Sequence, residues 1–332
     1  MQDLADTERL SMELSTPVSG ASDPADFQVW PKAELHCHLD GALRPATAEE
    51  LADQLGLDLP RPLRLAAPAS CASQAEYLEF FDHPIAVMQT AEGIARTARE
   101  LGEDAAADGV DYLEVRWAPR FHLRRGLSVE RVIEAVLEGL AAAPVRAVAI
   151  VCAIRQHPVE DNVALGRAAG RYVGRGVVGF DLAGDEAGWA AAPHRPAFEA
   201  ARAAGLRLTC HAGEAGPPSN VGDALDLGVE RIGHGVLGAG DHRLMDRVRS
   251  EGVTLDLCPT ANWKCKAVPR LEDHPLPRLL RSGVRCTLST DSPTVAGVTL
   301  SGEFRLAHQT LGMTLEELHR CNAIAFESRF GD

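Results

Sequence analysis

The chain has 332 residues, 45% hydrophobic and 24% charged, with a formal net charge of −14, a composition ordinary for a globular enzyme. The acidic balance argues against nucleic acid and anionic membrane as partners: phosphate backbones are held by clustered Lys and Arg, and basic residues occur here only in short pieces such as Arg124-Arg125. The longest apolar stretch, Ala147 to Ile154, is far short of the ~20 residues that span a bilayer.

Residues 1–30 carry Asp3, Asp6, Glu8, Glu13, Asp23 and Asp26 against Arg9 and lack the apolar core of a signal peptide, so they read as a disordered acidic leader. A single domain is expected over 31–332. Its first strand, 33–38, holds His36 and His38. Strand side chains alternate faces, so both imidazoles emerge on one side, where one divalent metal can take both. Thr47-Ala48-Glu49-Glu50 reads as a capping box opening a helix that stops at Gly56. An insertion at about 57–90 follows, from Pro60-Arg61-Pro62 through the aromatic run Tyr77-Leu78-Glu79-Phe80-Phe81-Asp82. It reads as an amphipathic helix on the rim or as a lid with apolar contacts to substrate.

Further strands are expected at 110–116, 146–154, 177–182, 206–210, 230–233, 253–257 and 284–289, each an apolar or β-branched run closed by turn or polar residues. Helical patterns such as Ser128 to Leu140 and Asp241 to Ser250 lie between them, and Thr314-Leu315-Glu316-Glu317 caps a last helix. Eight strands alternating with helices predict a (β/α)8 TIM barrel. A doubly wound sheet is the alternative, but no G-x-G-x-x-G follows the first strand. The eight cysteines show no paired spacing, which suits buried packing thiols in a reduced, cytoplasmic setting.

Strand C-termini of such a barrel converge on one face. His36 and His38 end the first strand, His211 the fifth, His234 the sixth and Asp291 the eighth. His36, His38, His211 and Asp291 form a three-nitrogen, one-carboxylate set that suits one Zn2+ with a water beside it. His234, between Gly233 and Gly235, reads as a further ligand, a base or a packed core residue. Glu214, three residues after His211, is either an acid beside the metal or a loop carboxylate.

In their joint occurrence and order, HCHLDG at 36–41, DLAGDE at 181–186, HAGE at 211–214, RIGHG at 231–235, CPTAN at 258–262 and STDSP at 289–293 resemble the adenosine deaminase family of the amidohydrolase superfamily. The resemblance runs from Pro31 to Phe330. It implies a mononuclear zinc barrel that hydrolyses the 6-amino group of a purine nucleoside, with no nucleic acid or membrane partner. It implies zinc on His36, His38, His211 and Asp291, with His234 and Asp291 orienting and deprotonating the attacking water. It further implies Glu214 as the acid at purine N1, the Gly184 N–H at N3, Asp40 on a ribose hydroxyl, and Leu78 and Phe81 in an apolar lid. Strand four ends Phe180-Asp181-Leu182-Ala183-Gly184, without the lysine that dinuclear relatives carboxylate there.

Two positions depart from the family. Ser292 stands where a second aspartate usually reads purine N7, and is expected to donate to N7 instead. Ala261 stands where serine is common. Ser292 leaves open a modified substrate (6-aminodeoxyfutalosine, adenine or an N6-substituted purine), which Asp40 at the sugar position opposes. A phosphorylated substrate lacks a basic cluster, and a non-catalytic nucleoside-binding relative is opposed by the retained set of His, Glu and Asp. The oligomeric state is not legible.

Overall fold

The computed structural model describes residues 26–331. All eight expected strands form, with ends shifted by two residues at most: β1 (Lys32–His38), β2 (Val110–Trp117), β3 (Arg146–Ile154), β4 (Val177–Ala183), β5 (Arg207–Ala212), β6 (Arg231–His234), β7 (Thr254–Leu257) and β8 (Arg285–Leu288). They pair in parallel in sequential order. Neighbours in sequence are neighbours in the sheet because each crossover helix packs back on the strands it connects. The strands are buried over most of their length, as an all-parallel sheet covered on its outer face requires.

The helices of the first half are α1 (Pro45–Gln54), α2 (Gln74–Leu78), α3 (Asp82–Val87), α4 (Ala91–Ala107), α5 (Val129–Ala141) and α6 (Val159–Gly170). The second half carries α7 (Arg195–Ala203), α8 (Ser219–Asp226), α9 (His242–Ser250), α10 (Pro259–Lys264), α11 (Leu276–Arg281), α12 (Pro293–Ala296), α13 (Leu300–Gln309) and α14 (Leu315–Ser328). None is long and apolar enough to cross a membrane.

The barrel closes where β8 meets β1, through a single bridge between Cys37 and Asp291. The Asp291 N–H donates to the His36 carbonyl at 2.9 Å, and the His38 N–H donates to the Asp291 carbonyl at 2.6 Å. Backbone closure therefore sets Asp291 between the two histidines of β1. Inside the barrel, fully buried charges are paired: Arg116 Nη1 with Asp181 Oδ2 at 2.9 Å and Arg231 Nε with Asp256 Oδ2 at 3.1 Å. Buried ions persist only when so compensated.

Three expectations are corrected. Thr47 does not cap α1, which begins at Pro45 after Arg44 with no side-chain cap. Proline at the first turn supplies the start instead, and the buried Thr47 hydroxyl donates to Glu100 Oε2 at 2.6 Å. Residues 1–25 of the expected leader lie outside the described residues, but 26–30 are part of the packed chain. Phe27 is fully buried, 5.0 Å from Trp30 and 5.9 Å from Phe304 between ring centroids, because two large rings gain more from the barrel wall than from water. The segment 57–90 is two short helices, α2 and α3, joined by a 3-10 turn at Glu79–Phe81, in place of one amphipathic helix.

Candidate active site

The strand ends bring the expected ligand set together. His36 Nε2 and His38 Nε2 each lie 3.1 Å from His211 Nε2, and Asp291 Oδ1 lies 3.3 Å from His36 Nε2 and 3.6 Å from His38 Nε2. Four atoms about 2.0–2.2 Å from one tetrahedral ion stand about 3.3–3.6 Å apart, so the set fits a metal. The charge state fits as well. Burial first, then the Arg116 guanidinium, holds the pKa of His36 well below its ordinary value, and burial pushes His38 down to about 3, leaving bare nitrogens. His211 presents Nδ1 to Asp181, at 3.2 and 3.0 Å from its two carboxylate oxygens. Burial alone would raise the Asp181 pKa, but the His211 imidazole and Arg116 outweigh it and hold that carboxyl well below the usual range. A carboxylate behind a ligating histidine fixes its orientation and raises its basicity.

Room for the histidines comes from glycine. A Cβ on Gly233 would lie 2.6 Å from His36 Cε1. His234 and Asp291 carry positive φ of 72° and 62°, conformations that cost about 1–3 kcal/mol and concentrate at functional sites. His234 belongs to the same cluster: its ligand atom and those of His36, His211 and Asp291 all lie within 4.8 Å of one another.

Glu214 sits beside this cluster, 6% exposed, with Oε2 3.6 Å from His234 Nε2. Its loop is held by Glu186, whose carboxylate accepts the N–H groups of Gly213, Glu214 and Ala215 at 2.6, 2.7 and 2.8 Å. Gln74, the first residue of α2, donates its amide to Glu214 Oε2 and accepts the Glu186 N–H at 3.2 Å. The Cys265 thiol donates to Glu214 Oε1 at 3.3 Å. Burial, reinforced by Asp291, pushes the Glu214 pKa up to about 7, so the carboxyl is half protonated near neutrality.

A cavity of about 260 Å3 opens over these groups, near the lower end of small-molecule sites, about 300 Å3. Asp40 and Gly184 line it, as do Leu78 and Phe81 from the insertion. Asp40 is buried, its Oδ1 has no partner among the described residues, and burial pushes its pKa up to about 7. Gly184, at φ 103°, leaves no space for a side chain, since its Cβ would stand 2.3 Å from Gln156 Oε1. Ser292 is the exception among the expected substrate contacts. It is fully buried, it is not among the cavity-lining residues, and its hydroxyl donates to Asp291 Oδ2 at 2.9 Å. In this structure the Ser292 hydroxyl is thus engaged with a candidate ligand.

Asp181, Glu186 and Asn262 lie inside sequence motifs that do not reveal their roles, and Gln74 lies in no motif at all. The only signal for Gln74 was a buried-type position carrying an amide at the head of an aromatic run.

The chain is 38% identical over 311 residues to the adenosine deaminase of Clostridium perfringens strain 13, covering 90% of this chain and 94% of that protein. Among solved structures, the adenine deaminase of Arthrobacter aurescens superposes with a TM-score of 0.83 at 29% identity, over 91% of this chain and 94% of that one. The arabidopsis N6-mAMP deaminase does so with a TM-score of 0.84 at 27% identity, over 92% and 95%. Residues 31–332 match the family described as adenosine deaminase, and with a barrel whose strand ends gather the histidines and aspartate of that pattern, the chain belongs to the adenosine deaminase family.

Proposed function

We propose that this protein hydrolyses the 6-amino group of adenosine or a closely related purine nucleoside, giving the 6-oxo product and ammonia, with one Zn2+ held by His36, His38, His211 and Asp291. The observation that carries the reading is the buried Glu214 carboxyl beside a convergent set of three imidazoles and a carboxylate under a nucleoside-sized cavity. When bound, zinc lowers the pKa of a water ligand to about 7, which supplies a nucleophile at neutral pH.

The chain's own groups do the rest. Glu214, whose pKa burial raises to about 7, gives its proton to purine N1, because addition at C6 breaks ring aromaticity and places negative charge on the ring. Asp291 accepts the proton of the attacking water, and His234 orients it. Asp40 takes a sugar hydroxyl and the Gly184 N–H takes N3. Leu78 and Phe81 cover the base as a lid and exclude water. A nucleoside is favoured over a nucleotide, since among the described residues Arg124 is the one Arg or Lys lining the cavity and Asp82 lies there too, whereas a phosphate calls for several donors.

The test is ammonia release from adenosine, 2′-deoxyadenosine, adenine, AMP and 6-aminodeoxyfutalosine by zinc-loaded protein. Nucleosides are expected to react fastest, and a preference for free adenine would reject the role of Asp40. Glu214→Gln is expected to keep its zinc and lose about 100-fold or more in kcat. Near-normal turnover by that variant would remove Glu214 as the acid.

A further inference from the structure

The imidazoles at the site are not equivalent, and the difference is set outside it. His274, just before α11, is buried, and burial pushes its pKa down to about 3, so its ring is neutral. The backbone N–H of Leu276 donates to His274 Nδ1 at 3.3 Å. A backbone N–H has no other role, so the His274 ring proton is on Nε2. Nε2–H faces Asn262 Oδ1 at 3.2 Å. The Asn262 carboxamide then presents Nδ2 on its other side, 3.0 Å from His234 Nδ1. Turning that amide over would set its N–H against the N–H of His274. His234 Nδ1 is therefore an acceptor, and the His234 ring proton is on Nε2. That Nε2 is buried, lacks a hydrogen-bond partner among the described residues and lies 3.6 Å from Glu214 Oε2.

We infer that Asn262 and His274 are positioning residues that hold His234 as its Nε2–H tautomer, so that His234 is a hydrogen-bond donor at the metal centre, neither a ligand nor a base. The inference rests on the deaminase reading only for the identity of the acceptor, the oxygen that attacks C6. It separates two triads that proximity alone leaves open: His38, not His234, completes the ligand set with His36 and His211. It also leaves Asp291 as the group that takes the water's proton. The relay starts at a main-chain N–H, so its direction does not depend on pH while both rings stay neutral. Breaking either link of the relay changes which nitrogen of His234 is bare without touching a metal ligand.

The test is long-range 1H–15N correlation on histidine-labelled, zinc-loaded protein, which distinguishes protonated from bare ring nitrogens. His234 and His274 are both expected as Nε2–H. In Asn262→Asp, a carboxylate that accepts from Nδ1–H moves the His234 proton to Nδ1. There kcat is expected to fall by about 100-fold, the scale of losing one donor to a developing oxyanion, with zinc content and KM near those of the parent. His274→Gln keeps an N–H for Asn262 and is expected to retain most activity that His274→Leu loses. A parent protein with His234 as Nδ1–H, or His234 bound to metal through Nε2, overturns the inference whatever the substrate. Normal kcat in Asn262→Asp with a shifted tautomer overturns it as well. A parent protein that shows Nε2–H but releases no ammonia from any purine removes the deaminase reading and leaves the relay standing.

Discussion

At the scale of single residues, the site depends on contacts one atom beyond the groups that meet substrate. Asp181 stands behind His211, Glu186 holds the backbone under Glu214, and Ser292 donates to Asp291. Ser292 is the instructive one. Its hydroxyl satisfies Asp291 Oδ2 while Oδ1 faces the histidines, so Oδ1 is the carboxylate oxygen left for a candidate metal. Ser292→Ala is expected to lower kcat by about 10- to 100-fold, the value of one hydrogen bond to a charged group, about 1.5–3 kcal/mol. The ratio of rates on adenosine and its 7-carbon analogue is expected to be the same in variant and parent. A ratio that moves toward one in the variant would restore Ser292 as a reader of N7.

At the scale of elements, the insertion supplies much of the cavity's cover. Gln74 ties the start of α2 to Glu214 and to the loop after β4, so the covering helices and the candidate acid are positioned together. Gln74→Leu removes the donor to Glu214 and leaves an apolar side chain of similar size. It is expected to cut kcat/KM by about tenfold at unchanged zinc content, measured by initial rates and metal analysis; equal kcat/KM would show that the contact does not position the acid.

Farther from the cavity, Glu303 on α13 is buried and its Oε2 accepts the Thr260 N–H at 3.4 Å. Burial pushes its pKa from 4.5 up to about 8, against hydrogen bonds from Thr260 that oppose the shift. A carboxyl whose pKa rises on folding contributes stability that is whole below about 4.5 and is lost as pH rises through about 8. From pH 7 to 9 the parent is therefore expected to lose about 1 kcal/mol that Glu303→Gln does not lose. Denaturant midpoints at the two pH values check this, and parallel losses in both proteins would exclude Glu303 as the source.

At the scale of the molecule, the candidate ligands come from β1, the end of β5 and the segment after β8, on both sides of the seam where the barrel closes. A metal there cross-links the first and last strands. Zinc at a thousandfold above its dissociation constant adds about 4 kcal/mol of stability, so chelation is expected to lower the melting temperature by several degrees. In Asp291→Ala the same chelator is expected to change it little. Equal melting with and without zinc in the parent would show that the seam holds without the ion.

Much of this architecture is written locally. The eight strands are short apolar runs between turn residues, and the Thr314 capping box forms as read, because both depend on neighbours within a few positions. Since parallel strands of a closed barrel send their C-termini to one face, His36, His38, His211, His234 and Asp291 could be expected together from their places at strand ends alone. What the sequence could not decide were contacts between distant segments. Thr47 met Glu100 instead of capping its own helix, Phe27 found the barrel wall, Ser292 turned to Asp291, and Gln74 reached Glu214 across 140 positions. The proton on His234 is the furthest case. It is determined by a backbone N–H at Leu276 through two side chains that only the closed barrel brings into line, because a hydrogen-bond direction belongs to the whole chain of donors and acceptors and to no single residue in it.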